Sequence, residues 1–372
     1  MAEQNSPENI EEQVISGAAW DEFCDNLKAL GKQITGPGTP TDAFNRAEGF
    51  RYLTRLTRNA LESVIEGGTA DFPVMRSLGN MVKMGADNPD NIYLGGGIHG
   101  DNEYRIFGNR GSVFYISFAS ISGGYGTDGT MITDGFLDTK QLQVEADGSF
   151  EIILSKHEQP GNWLPLTENT RSLNIRQTFL DRSSERPAQI DIEPLNKDSL
   201  PEPYSAEKLA KHLQRVSANL HGTVKLFADW TESLKENINS LPPADQAYCQ
   251  SIGGDPNIFY FHAHWALAED EVLEIRAPRI PECQTWNFQL DNYWMESLDY
   301  RYHRITVNKH TASYEDDGSV VLYVAHRDPG AGGNWIDTAG HADGTMCWRW
   351  IGTDDHPELE TRVVKLGDLA AK

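Results

Sequence analysis

Two histidines with one residue between them, His262-Ala263-His264, sit inside the apolar run IFYFHAHWAL. Such a run reads as a strand, and strand alternation puts both imidazoles on one face with Tyr260. Glu269 follows shortly after. An HxH pair with a later Glu is how some jelly-roll enzymes hold a divalent metal, with one more His arriving from a later strand. His310, His326 or His341 could supply it. The glycine spacing of such sites is absent here, and so is their second ligand motif. The competing reading is two half-buried histidines hydrogen-bonded on a polar sheet face.

His326-Arg327-Asp328 places an imidazole beside a carboxylate, a pairing suited to acid–base work. The same three letters open a kinase catalytic loop, but the other kinase elements are missing. The sequence therefore nominates His310 and His326 as proton carriers, with Asp328 orienting one of them. An ion pair between Arg327 and Asp328 is the plainer alternative. The stretch Trp294 to His303, WMESLDYRYH, mixes aromatic and charged groups between two strands. Trp294 and Tyr302 could stack on a ring while Arg301, Asn334 and Arg349 hold its polar groups. Otherwise the loop is stapled by its aromatics, and Arg301 binds a neighbouring carboxylate.

Other patterns exclude chemistry. GGGIHG (Gly95 to Gly100) satisfies GxGxxG, but DNEYRIFGNRG follows it and reads as a strand, not the helix a dinucleotide needs. No P-loop or GxSxG elbow is present. Arg51, Arg55 and Arg58 form one helical stripe, best read as salt-bridged. With 55 acidic against 32 basic residues the formal charge is -23, which repels nucleic acid and anionic lipid. Cys24, Cys249, Cys283 and Cys347 are scattered and form no CxxC pair, so free thiols in a reducing cytoplasm are expected. The polar first residues do not read as a signal peptide, and no apolar run is long enough to span a membrane.

What must position these residues is a duplicated architecture. DGSFEIILSKHEQPGNW (147–163) and DGSVVLYVAHRDPGAGGNW (317–335) share DGS, an alternating strand, a Pro/Gly turn and Asn-Trp. DNIYLGGGI from Asp90 pairs likewise with DPNIFYFHAHW from Asp255. Helical periodicity covers 43–66, with a stripe of Phe50, Leu53, Thr57, Leu61 and Val64, and recurs over 209–232 after a start at Ser205. Strands are expected at 258–267, 272–277, 285–293, 304–310, 320–325 and 346–350. No helix is placed to cross between consecutive strands, so antiparallel sheets follow.

The segment 285–335 with MCWRW (346–350) resembles a bacterial family of unknown function numbered 1214, often found with a family numbered 1254. The carrying features are Trp286, Arg301-Tyr302, Asp317 to Ser319, Pro329-Gly330, Asn334-Trp335 and Arg349. The first copy, 161–179, resembles the same segment and keeps a Leu-Pro after Asn-Trp, which Ile336-Asp337 replaces in the second. RAEGFRYLTRL (46–56) resembles longer members. The resemblance speaks to fold and implies no chemistry.

The sequence thus predicts an α+β protein of two tandem units, each helices followed by an antiparallel β-sandwich or jelly-roll-like sheet. The sections are 1–86 (helical), 87–200 (β), 201–254 (helical) and 255–372 (β). Seven of the eleven histidines fall from His262 to His356, which nominates the last section as the chemical half. The leading expectation is a cytoplasmic bacterial enzyme, a lyase or hydrolase needing no cofactor, acting on a small polar, ring-containing metabolite. The alternatives are a metal-dependent, cupin-like enzyme using His262, His264 and Glu269, and a non-catalytic ligand-binding or assembly module. The expected partner is a small molecule, with no nucleic acid or membrane; a homo-oligomer is allowed.

Overall fold

The computed structural model describes residues 7–78, 82–195 and 200–369. It divides into two compact units: Met1–Val82, Ile92–Thr178 and Arg186–Leu226 form the first, and Lys83–Asn91, Phe179–Glu185 and Phe227–Lys372 the second. Each β region therefore keeps its place in the chain, while two short internal segments join the second unit. No helix among the described residues is long and apolar enough to cross a membrane.

The first unit opens with helices α1 (Pro7–Ile15), α2 (Ala18–Ile34) and α3 (Ala43–Val64). Asp42 caps α3 by accepting from the Asn45 amide at 2.9 Å, satisfying one of the orphan donors of the first turn. The buried stripe of α3 is Tyr52, Leu53, Leu56, Ala60 and Val64. Phe50, expected inside, is 45% exposed: the larger apolar set lies a fraction of a turn round the helix. Arg51 and Arg58 pair with Glu48 and Glu62 on the same helix.

Short strands β1 (Gly68–Thr69), β2 (Phe72–Pro73) and β3 (Arg76–Ser77) lead into β4 (Asn91–Gly97), β5 (Tyr104–Asn109), β6 (Tyr115–Gly124), β7 (Thr130–Asp138), β8 (Ser149–Ser155), β9 (Trp163–Pro165), β10 (Thr170–Thr178) and β11 (Gln189–Pro194). The glycine run ends β4, and β5 follows without a helix. A side chain at Gly100 would meet the Thr167 carbonyl, so close backbone approach explains that glycine. Helix α4 (Ala206–Leu234) begins where Ser205 Oγ accepts from the Lys208 amide. Its residues from Phe227 onward belong to the second unit.

In the second unit α5 (Gln246–Ser251) precedes β12 (Ile258–Ala266), β13 (Glu271–Ala277), β14 (Thr285–Leu290), β15 (Thr306–Asn308), β16 (Val320–Ala325), β17 (Asn334–Asp337), β18 (Asp343–Ile351), β19 (Glu360–Lys365) and α6 (Leu366–Leu369). Strands β17 and β19 were not expected from the sequence. The duplication appears in the strand orders. β4-β10-β6-β7 in one unit matches β12-β18-β14-β15 in the other, and β11-β5-β8-β9 matches β19-β13-β16-β17.

Both copies depart from a purely antiparallel plan at one edge, where β8/β9 and β16/β17 run parallel. The Asn-Trp motif holds that return. Asn162 Nδ2 donates to the Gln143 and Glu151 carbonyls, and its Oδ1 accepts from the Gln143 amide. Asn334 does the same with Ser313 and Val321. Trp163 and Trp335 donate indole N–H groups to the Ser155 and Ala325 carbonyls. The DGS turns also coincide: Asp147 and Asp317 accept from the Ser149 and Ser319 amides, each at 2.9 Å. Gly148 and Gly318 take the left-handed φ (85° and 81°) that the turn requires. The repeated motifs are thus turn and return devices. Asn334→Ala should cost about 1.5 kcal/mol or more in urea unfolding, since it strips four hydrogen bonds, each modest in net value. Unchanged stability would refute that role.

The core of the second unit lies between its two sheets. Phe261, Ala263 and Trp265 of β12, Trp286 and Phe288 of β14, and Trp348 and Trp350 of β18 meet Leu273, Ile275, Leu322 and Val324 in one buried cluster. Trp286 and Trp348 stack with ring centroids 4.6 Å apart. This is the sandwich expected from the sequence.

Candidate functional site

The other face of the β12-β18-β14-β15 sheet is polar, and it is also buried. Cross-strand register sets out three rows: Tyr260, Arg349, Asn287 and Asn308; His262, Cys347, Gln289 and Thr306; His264 and Thr345. Exposure is 4% for His262, 2% for His264, 4% for Arg349, and 1% or less for Asn287, Gln289 and Thr345. Buried polar groups need partners, so the bonds across this face define the site.

Arg349 is its central cation. It donates to Gln289 Oε1 and to the Ala86 carbonyl, each at 2.5 Å, and its guanidinium faces the Tyr260 ring. Gln289 passes the contact on, donating to Asp291 Oδ1 and to the Asp87 carbonyl. Asp291 is fully buried. Desolvation outweighs its hydrogen bond from Gln289 and pushes its carboxyl up to about 8, so at neutral pH it carries a proton. Burial also raises Asp87 and brings Asp90 to about 6.

The segment from Lys83 to Asn91 is fastened to this face. Asp87 accepts from the amide and hydroxyl of Ser297 at 2.9 and 2.8 Å. Lys83 donates to the carbonyls of Ser297 and Leu298. The Ala86 amide bonds the Met295 carbonyl, and both residues hold left-handed φ, 56° and 53°. Such conformations are unfavourable for side-chain-bearing residues and persist only where packing dictates them.

The two imidazoles occupy the β12 end. His262 lies 4.8 Å from the Trp230 ring and stacks on Tyr260. Its Nε2 is 3.6 Å from Cys347 Sγ. Burial and then Arg349 depress His262 to about 3, and burial raises the Cys347 thiol to about 12. Both are therefore neutral. His264 Nε2 stands 3.8 Å from the Asp343 carboxylate. The Nδ1 atoms of both histidines are buried without a hydrogen-bond partner among the described residues, and so is Asn287 Oδ1. An unpaired buried polar atom costs about 1–3 kcal/mol. All three atoms belong to one face of the sheet.

Comparison with known proteins agrees with this architecture. A crystal structure of an uncharacterised protein from Burkholderia cenocepacia is 50% identical, with TM-score 0.94, covering 96% of this chain and 99% of that one. The sequence profile of a protein of unknown function, DUF1214, matches residues 130–178 and 267–355. The chain belongs to the DUF1214 family. The VPA0106 protein from Vibrio parahaemolyticus is a remote likeness, 11% identical with TM-score 0.49, covering 91% of this chain and all of that one. No curated protein matches. The two DUF1214 segments contain both Asn-Trp returns and two equivalent buried arginines. Arg176 opposes Ser117, and Ser117 opposes Asp138, as Arg349 opposes Asn287 and Asn287 opposes Asn308.

The site residues expected from the sequence fare differently in this DUF1214 chain. Arg349, His262 and His264 come together on the buried face. Glu269 lies exposed in the loop after β12, and no group of three or more His, Cys, Asp or Glu placed to hold a metal occurs among the described residues. His326 Nε2 donates to the Leu267 carbonyl (3.0 Å) and its Nδ1 pairs with the Thr338 hydroxyl (2.9 Å), which occupies both ring nitrogens. Asp328 is exposed and accepts from the Gly330 amide in its own turn. His310 is exposed after β15. Trp294 is buried, whereas Tyr302 is 79% exposed, so the two do not form one stacking wall. Arg301 is held by both oxygens of Asp299, the plainer alternative for that loop. Asn334 spends its amide on the β-return. Sequence reasoning missed Asp87, Asn287, Gln289 and Asp291. The signal for the last three was the alternation TWNFQLD, polar at every second residue but without Lys or Glu.

Proposed function

We propose that the second unit is an acid–base enzyme for a small polar, ring-bearing metabolite, working on the buried polar sheet face by chemistry of the elimination or hydrolysis kind. One observation carries the reading: His262 and His264 each keep a buried Nδ1 unpaired, on the sheet face that also carries Arg349. General acid–base catalysis needs imidazoles free to exchange a proton within reach of substrate. His262 and His264 are preferred to His310 and His326, because the His326 nitrogens are engaged and His310 lies on the surface. The family's chemistry gives no support either way. Four cysteines outside any disulfide are in keeping with a reducing cytoplasm.

A thermal-shift panel of cyclic ketones, lactones, amino sugars and cyclic carboxylates tests this on the full chain. A ligand at one hundred times its Kd should stabilise the protein by about 2.7 kcal/mol. That gain should vanish in His262→Gln and His264→Gln and survive in His157→Gln, and NMR should show the bound compound turned over. A ligand held equally by all variants sinks the proposed site; binding without turnover leaves a binding module. Metal dependence has one observation in its favour, the same pair of Nδ1 atoms. Calorimetric titration with zinc, abolished in both histidine variants, would replace the acid–base reading.

A further inference from the structure

The two units differ at one position of the β-return they share. The first follows its Asn-Trp with Leu164-Pro165, the second with Ile336-Asp337. Register sets Pro165 beside Ser155 and Asp337 beside Ala325, so the two residues hold equivalent places. The first unit makes its return without an acid there. The fold therefore does not require a carboxylate at Asp337, and what that carboxylate touches is informative.

Asp337 Oδ2 lies 2.7 Å from His303 Nδ1. Its Oδ1 accepts from the Ala339 amide at 2.8 Å, and its own amide donates to the Arg304 carbonyl. Ala339 holds a left-handed φ of 50°, a conformation that residues with side chains rarely adopt and that packing must maintain. The imidazole is fixed from its own side as well. The His303 amide donates to the Asp299 carbonyl, while the Asp299 carboxylate clamps Arg301. Ile305, fully buried, anchors the chain two residues on. Both partners are thus held in place before a third molecule arrives.

A carboxylate oxygen only accepts, so the proton between the two groups sits on Nδ1 of His303. The lone pair of the unprotonated ring is then at Nε2, which has no hydrogen-bond partner among the described residues. The His303 side chain is 42% exposed and that of Asp337 only 19%. A sheltered carboxylate behind an imidazole that opens to solvent is the arrangement that orients a catalytic nitrogen. The nearby arginines are engaged elsewhere, Arg301 with Asp299 and Arg304 with the Gly333 carbonyl and Asn334 Oδ1.

We propose that His303 and Asp337 form a second reactive centre, at which His303 Nε2 attacks the acyl carbon of small, neutral aryl or enol esters. The Nε2 lone pair forms the N–C bond as the C–O bond to the aryl or enol oxygen breaks, and that oxygen leaves with the bonding pair. Nδ1–H stays on Asp337, whose charge stabilises the acylated, positive ring. Water then adds to the acyl carbon, the C–N pair returns to Nε2, and the carboxylic acid leaves. One ester and one water give one acid and one phenol or enol. Less acidic alcohols are excluded, because imidazole expels only weakly basic leaving groups. Anionic esters are disfavoured by the formal charge of -23 and by Asp299 and Asp337 beside the ring. An exposed nitrogen needs only to reach one carbon, so no enclosed cavity is required. His303 is the catalytic residue and Asp337 its positioning residue. None of the residues of the buried polar face takes part, so this centre stands or falls apart from the function proposed there.

Acylation of the full chain by diethyl pyrocarbonate, a neutral acyl donor, ranks the histidines when followed by peptide mass spectrometry. His157 is the internal reference: it is exposed, and its ring makes no hydrogen bond among the described residues. His303 should react about tenfold faster than His157, the value of one hydrogen bond to a charged group. Asp337→Asn should bring His303 down to the rate of His157. Nitrogen-15 NMR should find N–H at Nδ1 of His303 in the wild type and a mixture of tautomers in Asp337→Asn, a change that a merely structural role would not produce. Release of 4-nitrophenolate from 4-nitrophenyl acetate should lose most of its rate in His303→Gln and none in His157→Gln, and a sulfonated aryl acetate should react more slowly. The proposal is overturned if His303 reacts no faster than His157, if Asp337→Asn leaves its rate unchanged, if N–H is found at Nε2, or if nitrophenolate release survives His303→Gln.

Discussion

Arg349→Met should lower the unfolding free energy by about 3–5 kcal/mol, measured as a shift in urea midpoint at constant slope. The side chain is 4% exposed and donates to buried acceptors, Gln289 Oε1 and the Ala86 carbonyl. Methionine fills much of the volume but leaves both acceptors unpaired. It also withdraws a cation whose field lowers Asp87, Asp90 and Asp291. Arg349→Lys should fall between, because a single ammonium keeps the charge and cannot span two acceptors in a fixed fork. If the bond to Gln289 carries its share, Arg349→Met combined with Gln289→Leu should cost less than the sum of the two single changes. A loss below about 1 kcal/mol in Arg349→Met would show that the network is incidental to the fold.

The duplicated plan was readable because turn chemistry is local. An Asp-Gly-Ser turn needs a left-handed glycine wherever it occurs, so Gly148 and Gly318 announce themselves in sequence. The same holds for Asn162 and Asn334, whose amides each serve a β-return. Buried polar faces are not local. Thr285 to Leu290 alternates like a strand with one wet side, yet Asn287 and Gln289 are almost fully covered. What covers them includes residues 83–91, some two hundred positions earlier in the chain, and no periodicity within β14 records that. His326 misled for the opposite reason. Its neighbours in sequence suggest a catalytic pair, but its ring bonds Leu267 and Thr338, while Asp328 accepts from the Gly330 amide in its own turn. His262 and His264 were visible as a pair; which nitrogens they leave free depends on Cys347 and Asp343, contributed by another strand.

Between pH 6.5 and 8 the protein should lose about 2 kcal/mol of stability, and Asp291→Asn should remove most of that loss. The carboxyl rises from 3.8 unfolded to about 8 folded. Between those values the folded chain holds a proton that the unfolded chain has released, so stability is full below 3.8 and falls as pH rises towards 8. His262 works the other way. Its folded value of about 3 lies below 6.5, so its contribution is present above 6.5 and is lost as pH falls towards 3. The two slopes oppose each other in mild acid, and Asp90, near 6, is spent before neutrality. Above 6.5 Asp291 is still releasing its proton, and the decline follows it. Gln289 and Thr345 face its oxygens, while Asp87 raises it and Arg349 and Lys83 lower it. Asp87 is itself raised, so Asp87→Asn should also reduce the slope. Urea midpoints at the two pH values for the three proteins decide the matter. A flat wild type, or an undiminished slope in Asp291→Asn, would mean the carboxyl is ionised in the fold. The neutral acid would then be lost from the site, and Arg349 would have to be read as its counter-ion.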